Sequence, residues 1–480
     1  MSISEPKRQE LSSQPSESLK ADAIGLVQDT IIGMASSAPA VSIAFTMALL
    51  ASVTAYASGL CIIITAVPML LIAYAYRRLN LWEQNCGASY SWVGRAINPY
   101  LGFMVGWMMI AGYVIATVSG VEVLGPSVLA VFGGSDSNLG ANVAIAVGVG
   151  LALLVVALVG IRITARTQIA VAVIEYTILI GFAAVGIWAV ARHWPGTYPM
   201  TSGWLSWHGV DGKGSVTAGF LVAVFIFTGW DGAIYVNEET TRRAKNPGTA
   251  VMLAIAGLTF IDLLGIVGMQ GVVSPAKLQA NSASALVFTS QALAGNTWAK
   301  VMALALALSV IATTLTGIVL TARIVYAMAR DRLFPASLAR VSGRFHTPVV
   351  ASVVAGLAIV GLACVYLLVT SVQAAFDNVI SVAGILFAIF YILTAAAAVV
   401  FYRRQVVSSL ENFVTLGVLP LAGAAFLVYV VVESLLDAPA SRLWSLLGVL
   451  AAGLVLMIAA RLIGKAPFFG RKTEQYGDVS

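Results

Sequence analysis

Apolar residues fall along this chain in long blocks separated by short polar segments. A helix needs about 20 apolar residues to cross a bilayer. Twelve blocks suit that purpose, near residues 23–52, 59–76, 99–130, 141–160, 168–191, 216–236, 248–272, 299–328, 348–369, 379–401, 413–435 and 443–463. Two of them are interrupted. The first carries Gly33-Met34-Ala35-Ser36-Ser37-Ala38-Pro39, small residues closed by a proline that cannot donate to a helix. The sixth carries Thr228-Gly229-Trp230-Asp231-Gly232. A charge at bilayer depth costs on the order of 2.5–3.5 kcal/mol by insertion scales. Freed backbone groups are tolerated there only where protein or a cavity covers them.

Composition agrees with the blocks. The 480 residues are 59% hydrophobic and 10% charged, against about 25% charged in soluble domains, which makes the chain an all-α, multi-pass membrane protein. Of the 27 Lys and Arg, Arg192, Lys213, Lys277, Lys300 and Arg442 fall on one side if the blocks alternate, and the remaining 22 on the other. The positive-inside rule then puts the N-terminus in the cytoplasm. The net charge of +6 is therefore a topology signal, and nucleic acid is not an expected partner. The first residues lack the apolar core of a signal peptide. Cys61, Cys86 and Cys364 form no CxxC, and His193, His208 and His346 have no metal-ligand spacing, so no metal is expected. A nucleotide cofactor is not expected either, since no GxxxxGK[ST] loop is present.

With five helices between their starts, the first helix runs outward and the sixth inward. Interrupted helices at matching places in two oppositely oriented five-helix halves point to an inverted-repeat transporter with its site between the repeats. The competing reading is that such kinks merely aid packing.

Four stretches resemble the amino acid–polyamine–organocation (APC) superfamily. They are Asn85-Cys86-Gly87-Ala88-Ser89-Tyr90 running on to Asn98-Pro99-Tyr100-Leu101-Gly102-Phe103; Gly160-Ile161-Arg162 with Ala165-Arg166 and Gln168; Thr228-Gly229-Trp230-Asp231 followed by Glu238-Glu239 and Lys245-Asn246-Pro247; and Thr321-Ala322-Arg323 through Tyr326-Ala327-Met328-Ala329-Arg330-Asp331. The resemblance implies a LeuT-type fold of 12 transmembrane helices, a 5+5 inverted repeat plus two more, and import or exchange of amino acids or related amines. The chain then divides into a disordered cytoplasmic tail (1–21), a first repeat (22–192), an extracellular loop (193–215), a second repeat (216–404), helices 11 and 12 (405–465) and a second tail (466–480). Asp231 stands where many relatives carry Glu, so the resemblance names no substrate.

A broken helix offers unpaired N–H and C=O groups at its two ends, and a zwitterionic amino acid suits both. The expected substrate residues are Ile32, Met34, Ala35, Ser36, Ser37, Ala38, Phe225, Phe227, Thr228, Gly229, Trp230 and Asp231, with amides at 35–38 holding a carboxylate. The aromatic residues among them are read equally well as plain packing. Asp231 has three readings: pairing with a cationic substrate group, carrying a proton, or holding the break by accepting backbone N–H bonds. Glu175 is expected to carry a proton, ligate a cation, bond to Ser309, Thr313 or Thr314, or serve structure alone. In some members of the superfamily a lysine at this spacing stands in for a sodium ion, and a glutamate reverses that sign. Asp29 is expected to close an inner gate with Arg323 or Arg242, and Glu238, Glu239, Arg242 and Arg243 to form a network on the same face. Glu122 and Asp262 are expected to be structural or to line the outer path.

Together these readings give a secondary transporter for an amino acid or amine, proton-coupled, with lipid and H+ as its other partners and a homodimer left open. A sodium-independent exchanger is the alternative and a channel a further one. A membrane enzyme would need clustered reactive side chains, which the chain lacks.

Overall fold

The structure, a computed structural model, describes residues 18–134, 138–207, 210, 212–281, 285–369 and 372–476, with the backbone alone at 213–214 and 372–381. Residues 1–17 and 477–480 of the two expected tails, and His208, lie outside the described residues. Among the described residues everything regular is helical, apart from one isolated bridge between Ile24 and Thr240. Among the described residues, eleven stretches are long and apolar enough to span a membrane. The first of these, Leu26–Trp82, folds back at Ala55 (φ 48°) and supplies two legs, so the twelve expected helices are present.

We number them α1 to α12. Leu26–Ala35 is the first half of α1, and its second half starts at Pro39–Val41 and ends as Met47–Thr54. Next come α2 (Ser58–Trp82), α3 (Pro99–Phe132), α4 (Leu139–Val159) and α5 (Ile161–Ala191). The first half of α6 is Gly212–Ile226 and its second is a 3₁₀ helix, Trp230–Glu239. The remainder are α7 (Asn246–Val272), α8 (Asn296–Arg330), α9 (Val349–Val369), α10 (Val372–Phe401), α11 (Leu410–Leu436) and α12 (Ala440–Leu462).

Both interruptions follow from local chemistry. In α1, Ala38 takes a left-handed conformation (φ 48°, ψ 65°), which costs an L-residue about 1–2 kcal/mol. Pro39 then restarts the helix at the first position, where its missing N–H is no loss. In α6, Gly229 adopts φ 100°, open to glycine because it has no Cβ.

Packing sets these breaks at the centre. Most of α6 and α8 is buried, whereas α4, α9 and above all α12 expose their apolar residues, as lipid-facing helices do. α8 lies along α3 and α5, and α7 packs against α2, α5 and the first half of α1. The described ends of both tails dock on one face. Ala23 N–H donates to Glu239 O (2.8 Å), and Leu19, inside the expected disordered tail, is buried. Phe468 is fully buried, and Arg95 holds Glu474 at 2.6 Å.

Candidate functional site

The two breaks cross in direct contact. A Cβ on Gly229 would lie 2.7 Å from Ser36 O, and one on Gly33 would lie 3.0 Å from Trp230 O, so glycine at these places lets the backbones touch. Beside the crossing is a cavity of about 40 Å³. At about 10–15 Å³ for each water-sized sphere, it has room for roughly three waters. The α1 break supplies Ser36, Ser37, Ala38, Val41 and Ser42 to its wall. Ala116, Ser119 and Gly120 come from α3, Phe225 and Thr228 from α6, and Thr313 from α8.

No charged side chain lines this space. The hydroxyls of Ser42, Ser119, Thr228 and Thr313 donate to nearby carbonyls, at 2.9, 2.8, 2.7 and 2.9 Å. Each keeps lone pairs to accept from a ligand. Ser37 Oγ is buried with no partner, a state that costs about 1–3 kcal/mol unless something fills it. The amides expected to hold a carboxylate are differently disposed. Ser36, Ser37 and Ala38 N–H turn back on Ile32, Met34 and Ala35 carbonyls at 3.1, 3.1 and 3.3 Å. The chain closes tight turns across its own break, so the wall offers acceptors more than amide donors.

Five of the twelve expected substrate residues therefore border the cavity: Ser36, Ser37, Ala38, Phe225 and Thr228. Ile32, Met34, Ala35, Phe227, Gly229, Trp230 and Asp231 stand behind it, with Met34 turned towards Gly257 of α7. Trp230 stacks on Tyr391 (5.0 Å between centroids) and meets Tyr76 edge-on, which makes it packing and not a lid. Sequence reasoning missed Val41, Ser42 and the three α3 residues. Ser119-Gly120 in mid-helix was the available signal.

Asp231 is fully buried and held mainly by side chains, with its own backbone amide beside the carboxyl. Tyr113 of α3 donates to Oδ1 at 2.9 Å, Tyr391 of α10 donates to the same oxygen at 2.6 Å, and Tyr235 donates to Oδ2. The Tyr391 hydroxyl also accepts the Gly229 N–H at 3.3 Å. One phenol thus ties the carboxylate and the α6 break to α10.

Glu175 reaches the other break. Its Oε1 accepts the Ala40 N–H at 3.1 Å, an amide at the start of the second half of α1, with Ser309 beside the same carboxyl. Thr313 instead caps the first half of α1 through Ala35 O, and the Thr314 hydroxyl has no partner.

The expected gate pairs are corrected by the geometry. Arg323 does not meet Asp29. It forms a two-pronged pair with Glu239 (2.6 and 3.0 Å), with both side chains about 1% exposed. Asp29 is buried near Thr240 and makes no ion pair among the described residues. Glu238 is taken by Arg330 at 2.6 Å and by the Cys86 N–H at 2.9 Å. Arg242 and Arg243 are exposed, because the turn at Arg242 (φ 47°) carries them away from the protein. Glu122 and Asp262 are buried, with no partner among the described residues for Glu122 Oε1 or for either Asp262 oxygen.

Known proteins give this arrangement its context. The cationic amino acid transporter 4, vacuolar, of Arabidopsis thaliana is 24% identical over 62% of this chain and 51% of its own length. The branched-chain amino acid permease BcaP of Bacillus subtilis (strain 168) is 23% identical over 60% of this chain and 63% of its own. The matched region thus spans about half to two thirds of these curated relatives. The crystal structure of MhsT in complex with L-phenylalanine shares the fold, with TM-score 0.61 at 13% identity over 86% of this chain and 99% of that one. The twelve helices are accordingly a LeuT-type fold. The amino acid permease family itself matches residues 24–459, nearly the whole chain, and this protein belongs to that family, within the APC superfamily.

Proposed function

We propose that the protein is a secondary transporter that carries an amino acid or related amine across the cytoplasmic membrane by alternating access, with both termini in the cytoplasm. The observation that carries this reading is the cavity at the crossing of two broken helices, with its unpartnered Ser37 hydroxyl. An uncharged wall rich in acceptors suits an ammonium group whose charge is balanced within the ligand, since an unpaired buried charge is costly. A space of about 40 Å³ is too small for most amino acids, so its walls must part to load and release one. The Glu239–Arg323 and Glu238–Arg330 pairs join α6 to α8 and form the bolt on the basic, cytoplasmic face. The two relatives are named for a cationic and for branched-chain substrates. Side-chain class is therefore a matter for assay.

Glu175 is the proton carrier in this reading. Its carboxylate accepts the Ala40 amide, so a proton arriving there weakens the link between α5 and the second half of α1. The test is uptake of pooled labelled amino acids and amines into proteoliposomes with and without an inward proton gradient. Uptake should rise with the gradient, and Glu175→Gln should flatten its pH dependence. Uptake that ignores the gradient but needs internal substrate identifies an exchanger, and an unchanged pH profile in the variant removes Glu175 from coupling.

A further inference from the structure

A second cavity lies away from the helix breaks, at the end of the α5 span. Its volume is about 170 Å³, and it is lined by Ala23, Ile24, Gln28, Arg162, Ala165 and Arg166. That is roughly ten times or more the room one water needs, about 10–15 Å³. No carboxylate lines it. Arg162 and Arg166 are one turn apart on α5, exposed, and make no ion pair among the described residues. Like charges four apart on a helix repel by a few tenths of a kcal/mol. That repulsion stands uncompensated here.

Other donors converge on the same space. Gln28 Oε1 accepts the Gly25 N–H at 2.9 Å, which leaves its NH₂ group to donate. The N-terminus of α5 adds the positive end of a 31-residue helix. Val27 and Ile163, next in sequence to Gln28 and Arg162, are exposed at 66% and 45%. Exposed apolar side chains at the end of a membrane span lie where phospholipid headgroups and acyl chains meet.

From this geometry we propose that the cavity binds a phosphate group, from an anionic phospholipid headgroup or from a small soluble phosphate. Two arginines match phosphate oxygens as paired donors. Bound there, the phosphate ties the first turn of α1, through Gln28, to α5. The proposal stands apart from the transport reading, because its test measures binding alone.

The full chain, purified in a non-ionic detergent, is heated with increasing dioctanoyl phosphatidylglycerol, dioctanoyl phosphatidylcholine, inorganic phosphate, or chloride at matched ionic strength. The expected result is a saturable rise in Tm on the order of 3 °C. Phosphatidylglycerol alone produces it if the source is lipid, and inorganic phosphate produces it if the source is soluble. R162Q/R166Q should abolish the rise and R162K/R166K should retain it. Each single Gln variant should raise the half-saturating concentration by about fivefold, which also serves if the double variant fails to fold. A rise equal with phosphatidylcholine or chloride, a rise undiminished in the Gln variants, or no rise with either anion would overturn the proposal.

Discussion

The two broken helices solve the same problem in opposite ways. At the α1 break the chain uses small and hydroxyl side chains, strains Ala38 into a left-handed conformation, and leaves Ser37, a residue of the cavity wall, with a buried Oγ that has no partner among the described residues. At the α6 break glycine takes the strain, Trp230 is sealed between aromatic rings, and Asp231 is gripped by tyrosines from α3, α6 and α10. Its far end is then bolted to α8 by two ion pairs. The acidic residue that first draws the eye thus lies behind the cavity wall, and the bland run of serines and alanines lines it. One break is closed by its partners, and the other borders a cavity.

That contrast can be broken from the α6 side with the largest effect. Arg323→Ala strands Glu239 in the interior, and removing one partner of a buried ion pair costs about 3–5 kcal/mol. A severe loss of folded protein in fluorescence-detected size-exclusion chromatography, or a steep fall in Tm, is expected. Arg242→Ala, at an exposed position, should leave both unchanged. Tyr391→Phe comes next. It removes the 2.6 Å bond to Asp231 and the acceptor for Gly229 N–H, for a loss of about 1–3 kcal/mol, read as a lower Tm. A Tm equal to the wild type would mean that the tyrosine grip is not what fixes the α6 break. The smallest change sharpens the α1 side: Ala38→Gly removes the left-handed strain and should stabilise by about 1 kcal/mol, seen as a small rise in Tm.

The frame was legible in the sequence wherever the signal was local. Blocks of apolar residues, Pro39 after a small-residue run, and glycines flanking Asp231 announce spans and breaks because each acts through its own backbone. Partners were harder. Asp231 bonds to residues 118 and 160 positions away, and Arg323 to one 84 away. Without those separations in view, Glu238 and Glu239 were joined to the near neighbours Arg242 and Arg243, and Asp29 took the place at Arg323 that Glu239 holds. The α3 wall stayed hidden for another reason. Ala116, Ser119 and Gly120 sit in a helix full of small residues, where a lining position and a packing position have the same composition.

The central claim is that the space beside the α1 break receives the substrate, and Gly120 tests it most directly. A Cβ there meets nothing within 4 Å, so Gly120→Val starts its side chain in open space at the cavity wall. Saturable uptake of the transported amino acid should be measured in proteoliposomes for wild type and Gly120→Val, alongside Tm. The account predicts an unchanged Tm with at least a tenfold loss of apparent affinity, about 1.4 kcal/mol. Full affinity in a variant that folds as well as the wild type would contradict it and move the site elsewhere.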